Sequence, residues 1–275
     1  MKRAQVLTTS ALFVASVYFL LPLWWLIVAA NKNGSELFST PALWFGGEAR
    51  IGENLSDVFA YQDGVFADWI VNSLLYSVVG AAAATLLAAA AGYALAKYPF
   101  RGRGLVFAVI IGALLIPPPL LAVPQYLLAS KTGMVDTVWS VLLPSMVSPF
   151  GVYLARVYAD TVPDELLEAA RVDGAGELRI FCTVGLRLMG PALVTIFLFQ
   201  TVQIWNNFFL PLVMLADNKL WPLTLGLYFW NSNPQKSFFT LVIAGSLISI
   251  VPLVVAFLSL NRFWRGGMTA GAVKG

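Results

Sequence analysis

Apolar and polar residues do not alternate along this chain; they segregate into long blocks. Apolar windows near residues 7–30, 70–96, 104–128, 138–158, 189–215 and 238–261 each run to about 20 residues or more, the length a helix needs to cross ~30 Å of hydrocarbon. The pattern predicts an all-α integral membrane protein with six transmembrane helices. The first window begins after Lys2 and Arg3, and Ala29-Ala30 would suit a signal peptidase. Its apolar run is longer than the roughly 7–15 residues of a signal core, so an uncleaved anchor is expected.

The windows differ in texture. The second, residues 72–97, is mostly alanine and glycine, with Gly80, Ala84 and Ala88 on one face and Ala81, Thr85 and Ala89 in the adjoining row. Small residues let helix backbones approach where lipid supplies no hydrophobic drive, so this is a packing helix whose neighbour, in this chain or another, the sequence leaves open. The third carries Pro117-Pro118-Pro119 and Pro124. Such breaks survive in a bilayer only where protein or a water-filled cavity satisfies the freed backbone groups. That favours a helix lining a cavity over one with a buried kink.

Amides and aromatics also fall within or beside the windows, at Asn72, Gln125, Tyr126, Gln200, Gln203, Trp205, Asn206 and Asn207. A path for a hydroxylated solute needs such groups, because hydroxyls leaving water must be re-satisfied. Gln200, Gln203 and Asn207, at i, i+3 and i+7, would share one face of the fifth helix. Interhelical hydrogen bonding is the alternative use of the same amides.

Composition narrows the chemistry. The chain has 275 residues, 59% hydrophobic and 11% charged, with a mean hydropathy of +0.78. Seventeen Lys and Arg against 14 Asp and Glu leave a net charge of +3, too small and dispersed for a nucleic-acid surface. With no histidine and one cysteine, Cys182, the sequence excludes internal disulfides, Cys/His metal sites and imidazole catalysis. No catalytic set and no metal site are expected, although an aspartate-dependent membrane enzyme is not excluded by composition. No phosphate loop is present, Ser130-Lys131-Thr132 lacking its glycines; if ATP is used, another chain binds it.

Charge placement gives an orientation, since positive flanks stay cytoplasmic. With the N-terminus inside, Lys2, Arg3, Lys97, Arg101, Arg103, Arg156, Arg171, Arg179, Arg187, Arg262, Arg265 and Lys274 fall inside. Only Lys32, Arg50, Lys131, Lys219 and Lys236 fall outside. The outer loop of about residues 31–68 holds Glu36, Glu48, Glu53, Asp57, Asp63 and Asp68, a solvated acidic loop or a docking surface.

The most polar inner stretch is "EAARVDGAGELRIF", residues 168–181. Thr161 is placed to cap a helix, Pro163 to sit in its first turn, and Asp164 and Glu165 to complement its dipole. Asp173-Gly174 stops it, glycine taking the left-handed conformation. Leu166 and Ala170 would share one face, with Glu165, Glu168 and Arg171 at other angles. A second short helix from Glu177 would lead Ile180, Phe181 and Val184 back to the membrane. By periodicity alone this is an interfacial helix.

Glu168-Ala169-Ala170, Asp173-Gly174-Ala175, Phe181, Leu186 and Pro191 have the spacing of the EAA loop of bacterial ABC importer permeases. "NSLLYS" at 72–77, "GYALAKYPFRGR" at 92–103, "WNNFFLPL" at 205–212 and "GMTAGAVKG" at 267–275 extend the match. The chain resembles the MalG-like permease subunit of maltose-type carbohydrate importers from about residue 70 to its end. It departs from the family at Leu186-Arg187-Leu188, where Leu-Pro-Leu is usual; an arginine there can snorkel at the membrane boundary.

The resemblance implies a division into an N-terminal helix and external loop, 1–69, and a permease core, 70–275. It implies a cytoplasmic coupling helix between the fourth and fifth spans. There Glu168 would make a charge-assisted contact with an ATPase, Ala169 and Ala170 would permit close approach, and Asp173-Gly174 would make the turn. The implied partners are a second, MalF-like permease, two copies of a cytoplasmic ATPase, an extracytoplasmic solute-binding protein and membrane lipid. No cofactor is expected in this chain, ATP and Mg being bound by the ATPase. The location would be the bacterial inner membrane with both termini cytoplasmic. A sugar cargo is expected; glycerol 3-phosphate or glycerophosphodiesters are the alternative within the same architecture. An ion-coupled secondary transporter fits less well, because the windows hold almost no ionisable residue away from their ends.

Overall fold

The computed structural model describes residues 2–233 and 238–269, with side chains over 5–233 and 238–259. Lys236, Lys274 and the tail motif beyond residue 269 lie outside the described residues, as do the side chains of Lys2, Arg3, Arg262 and Arg265. Among the described residues there are helices and turns and no strand. In chain order they are α1 (Lys2–Ala30), α2 (Glu36–Ser39), α3 (Ile51–Ala60), α4 (Val65–Leu74), α5 (Gly80–Lys97) and α6 (Arg103–Ala113). Then come α7 (Ala122–Lys131), α8 (Val138–Ser145), α9 (Pro149–Asp160), α10 (Asp164–Val172) and α11 (Glu177–Ile180). The last are α12 (Leu186–Leu188), α13 (Gly190–Trp205), α14 (Phe209–Met214), α15 (Leu223–Asn231) and α16 (Phe239–Thr269).

Gln5–Ala30, Ile51–Lys97, Val138–Asp160 and Phe239–Ser259 are each long and apolar enough to cross a membrane. Two bent pairs, Arg103–Ala113 with Pro118–Lys131 at 104° and Glu177–Leu188 with Gly190–Trp205 at 78°, raise the number to as many as six if each is one span. Within the second run the backbone turns at Gln62 and Asp63, both at positive φ, and the unbroken helix is α4 and α5 joined through a π-helical turn at Leu75–Val79.

The chain divides into two compact units, Met1–Ala67 with Gly226–Pro252 and Asp68–Leu225 with Leu253–Gly275. In the first, α1 turns Leu7, Phe13 and Phe19 outward, as lipid contact requires. Its polar segment is not a plain loop. Asn54 Nδ2 donates to the carbonyls of Ala30 and Lys32 at 2.8 and 3.0 Å. Lys32, 1% exposed, donates to the Pro41 carbonyl at 2.7 Å. Arg50 pairs with Glu48 and Glu53, and Glu36 accepts from the Asn33 and Gly47 amides. Chiefly the Asn33 N–H, followed by smaller contributions from Gly47, Arg50 and Lys32, holds the Glu36 carboxyl below its usual range. Glu36 thus braces the segment itself, while Glu48 and Glu53 pair with Arg50 and stay largely solvated. Phe66 stacks on Trp230 at 5.8 Å beneath Gly245, where a Cβ would lie 2.8 Å from Leu227.

The second unit is built around α5. The expected small-residue stripe finds its neighbours in this chain: a Cβ on Gly92 would sit 2.6 Å from Ala155 Cβ and from the Arg156 backbone nitrogen of α9. One on Gly80 would meet Ile204 of α13 at 3.1 Å, and one on Gly151 would meet Ala88 at 3.0 Å. Ala81, Ala84, Ala88 and Ala89 are buried in the same seam. Helices brought this close gain dispersion contacts that longer side chains would prevent.

Two expected spans are not single helices. The third breaks where Pro117 leaves the helical region and Pro118–Leu121 form a tight turn, because each proline removes a donor and clashes with the preceding turn. The fifth stops at Trp205, and α14 begins only at Phe209. The bend before α13 survives without the family's proline, since it falls at Met189-Gly190 ahead of Pro191; Arg187 is simply exposed.

Candidate functional site

Two places in the second unit gather the residues singled out by sequence. The first is α10. The chain enters it through Pro163 in extended conformation, and Asp164 and Glu165 fill its first turn, where acids complement the dipole. Thr161 does not cap it: its hydroxyl donates back to the Tyr158 carbonyl at 2.7 Å, finishing α9. The exit is a Schellman closure, with Gly174 at φ +79°, its N–H on the Arg171 carbonyl and the Ala175 N–H on the Ala170 carbonyl; this satisfies carbonyls the helix end would orphan.

The helix is seated by Leu167, 1% exposed, within a cluster of Tyr93, Ala159, Val162 and Ile180. The expected apolar face was one residue out of phase, since Leu166 is exposed while Leu167 and Ala170 turn inward. Glu165, Glu168, Ala169 and Asp173 are exposed, as are the apolar Leu166, Val172 and Leu178.

Both ends of the α10 segment are tied to the end of α5. Lys97 Nζ, its side chain 6% exposed, donates to Asp164 Oδ1 at 2.7 Å and to the Val162 carbonyl at 2.6 Å. At the other end Arg171 donates to Glu177 through Nε at 2.7 Å and Nη2 at 3.2 Å, and Tyr98 Oη donates to the same carboxylate at 2.6 Å. The Arg171 and Tyr98 hydrogen bonds, in that order, hold the Glu177 carboxyl down to about 2. Burial first, then the bond to Glu177, pushes the Tyr98 phenol up to about 12. Sequence reasoning counted Lys97 among the inner positive charges, placed Lys97 and Tyr98 in the matched 92–103 stretch and started a short helix at Glu177, but foresaw none of these bonds. Only the juxtaposition of two polar residues at the end of an alanine helix hinted at one, and the partnership with Glu177 crosses 79 residues.

The second place is a cavity of about 420 Å³, inside the ~300–1,000 Å³ range of ligand pockets. Three helix interruptions surround it: the proline break between α6 and α7, the break between α8 and α9, and the end of α13 before α14. Gln125, Gln200, Gln203 and Asn207 all line it, and among the described residues no Asp, Glu, Lys or Arg does. Gln200 is 3% exposed and its Oε1 has no hydrogen-bond partner, an arrangement that costs roughly 1–3 kcal/mol when nothing fills it. Asn207 lies beyond the helix rather than on its face, its Oδ1 accepting weakly from the Leu210 amide at 3.4 Å.

The other amides and aromatics are elsewhere. Asn72 donates to the Lys219 and Trp221 carbonyls at 2.6 and 3.2 Å, Asn206 donates to the Val202 carbonyl of its own helix, and Trp205 is 5% exposed in packing. None of these, nor Tyr126, is among the cavity-lining residues.

The family model described as binding-protein-dependent transport system inner membrane component matches residues 84–265. The chain is similar to the arabinooligosaccharides transport system permease protein AraQ of Halalkalibacterium halodurans, 35% identical over 271 residues, 98% of this chain and 96% of that one. It is also similar to the melibiose/raffinose/stachyose import permease protein MelC of Bacillus subtilis, 30% identical over 278 residues, 100% of this chain and 98% of that one. In fold it is similar to a chain of a bacterial ABC transporter involved in the import of the acidic polysaccharide alginate. That likeness has a TM-score of 0.84 at 22% identity, covering 96% of this chain and 97% of that one.

Proposed function

Because this chain belongs to the family of binding-protein-dependent transport system inner membrane components, we infer that its helices form half of the translocation path of an ATP-driven sugar importer. It is a multi-pass membrane protein and a non-catalytic permease subunit of an ABC importer. Such permeases work with a second permease, an ATPase and a binding protein. The assembly we assign has one MalF-like partner, two ATPase copies that bind ATP and Mg, and an extracytoplasmic binding protein.

Each bent pair contributes one span in this reading, the fifth being α13 with Glu177–Leu188 leading into it from the cytoplasmic side, giving six, with both termini and α10 on the cytoplasmic side as the Lys and Arg placement favours. The observation that carries the coupling role is the mounting of α10: its ends are fastened to α5 while Glu165, Leu166, Glu168, Ala169 and Val172 are left bare. A segment exposing charge and large apolar groups together suits a protein partner rather than water. Glu168 supplies the charge-assisted contact, Ala169 the close approach and Asp173-Gly174 the turn, while Ala170 packs against the chain's own core.

The relatives' names support a sugar as cargo. A phosphorylated cargo such as glycerol 3-phosphate calls for cations, and the cavity lining has none. For the path, the lining favours Gln125, Gln200, Gln203 and Asn207, while Asn72, Trp205 and Asn206 are engaged within the chain.

The test is purification of the tagged chain from its membrane in mild detergent, with ATP hydrolysis assayed against a panel of sugars. The expected result is co-purification of an ATPase and a second permease, with hydrolysis stimulated by a loaded binding protein. Glu168→Lys and Gly174→Leu should then leave insertion intact and separate hydrolysis from import. Normal import by both variants would remove the coupling role from α10.

A further inference from the structure

We infer that this chain holds the cargo itself, in an uncharged site in the cavity where the Gln200 side-chain carbonyl is the anchoring acceptor for a sugar hydroxyl. The inference rests on the importer reading and adds to it which subunit touches the sugar and through which atom.

The starting point is a group with nothing to do inside the chain. Gln200 is 3% exposed, it lines the cavity, and its Oε1 accepts no hydrogen bond. Amides that merely join helices are satisfied by the neighbouring helix, as Asn72 is by the 219–221 backbone. Gln200 departs from that pattern although Ile204, one turn further along α13, packs closely against Gly80 of α5. A buried acceptor at the edge of a cavity is matched by a donor that arrives with a ligand.

The rest of the lining states the chemistry of that ligand. Gln125 comes from α7, Gln203 from the next turn of α13 and Asn207 from the break after it. Side-chain amides offer both donors and acceptors, which is what paired hydroxyls need. Among the described residues the lining has no ionisable side chain, and so no counter-charge for a phosphate, a carboxylate or an ammonium group. Pro118, Pro119, Phe209 and Leu210 supply apolar wall for the C–H faces of a sugar ring. The site is therefore matched to a neutral polyhydroxylated ring, and its placement at three helix interruptions is where backbone flexibility for opening and closing is available.

The experiment uses the full complex of this chain, its partner permease, the ATPase and the binding protein, reconstituted in liposomes. Uptake of labelled arabinotriose, raffinose and lactose is followed. Gln200→Leu keeps similar volume and removes the acceptor. Import of the best-transported sugar should fall roughly three- to tenfold, the scale of one lost hydrogen bond. The relative rates of the three sugars should change. Gln125→Leu, on a different and less buried helix, should alter the same ratios and serves if Gln200→Leu does not assemble. Equal loss for all three sugars, or none, would overturn the site and leave the importer reading standing. A wild-type complex that takes up none of the three would overturn the sugar reading itself, and this inference with it.

Discussion

Lys97 shows how much a single side chain can carry. Its ammonium group leaves the end of α5 and meets both the Asp164 carboxylate and the Val162 carbonyl, tethering the start of α10. Lys97→Met removes both bonds at once. Asp164 is largely solvated and recovers water, but the Val162 carbonyl, in a residue 4% exposed, is left short at a cost of roughly 1–3 kcal/mol. A drop in the melting temperature of the purified complex, with sugar moved per ATP reduced, is the expected result; unchanged melting and coupling would show that the tether is idle. At the other end, Glu177 is held down to about 2, so its contribution is present above the ordinary value of 4.5 and disappears as pH falls through about 2. Tyr98, raised to about 12, contributes below its ordinary 10.0 and loses that contribution as pH rises through about 12. The melting gap between wild type and Glu177→Gln should thus be constant from about pH 5 to 9, small because the pair is solvent-screened, and should narrow below 4.5 and close as pH falls through about 2. A gap that varied across the neutral range would mean that another titrating group controls this contact. Sequence located the Glu168 and Gly174 positions from local spacing, but not these ties: Arg171 and Glu177 sit either side of a reversal, and Lys97 and Asp164 are 67 residues apart.

At the scale of elements, the close seam between α5 and α9 makes a sharp prediction. A methyl group at Gly92 would intrude to 2.6 Å on the backbone of Arg156, which cannot swing aside as a side chain can, whereas one at Gly112 meets nothing within 4 Å. Gly92→Ala should cost roughly 1–3 kcal/mol through overpacking, read as a lower melting temperature, with Gly112→Ala neutral or slightly stabilising through its higher helix propensity. Equal behaviour of the two would mean that α5 and α9 do not approach this closely in the membrane. The seam was legible because small-residue spacing is a local pattern, and the proline break in the third window was legible for the same reason. The break in the fifth window has a local cause as well: Pro211 offers no N–H to the Asn207 carbonyl and its ring clashes there, so α13 ends at Trp205 and α14 starts afresh at Phe209. The phase of α10 was not legible: Leu166 and Leu167 are equivalent by hydropathy, and only the pocket around Tyr93 and Ile180 chooses Leu167.

For the molecule as a whole, the proposed topology puts α10 and the turn after α11 in the cytoplasm, and the chain carries its own reporter of that placement. Cys182 is the sole cysteine in the sequence and is exposed, in the π-helical turn Phe181–Gly185 that follows α11. A membrane-impermeant maleimide applied to sealed vesicles should therefore label the wild-type chain when the cytoplasmic face is outward and spare it when the opposite face is outward, with no engineered residue needed. The same label read before and after ATPase binding separates two consequences of the arrangement. If the ATPase seats on the face that bears Glu165, Glu168 and Val172, labelling of Cys182 should slow on assembly and return when Glu168→Lys weakens docking. Labelling from the extracytoplasmic face would invert the molecule, placing twelve of its 17 positive charges on the side that positive residues avoid, and would detach α10 from any cytoplasmic ATPase. The orientation, the coupling role of α10 and the direction in which a sugar would cross the cavity therefore stand on one chemical measurement at one residue.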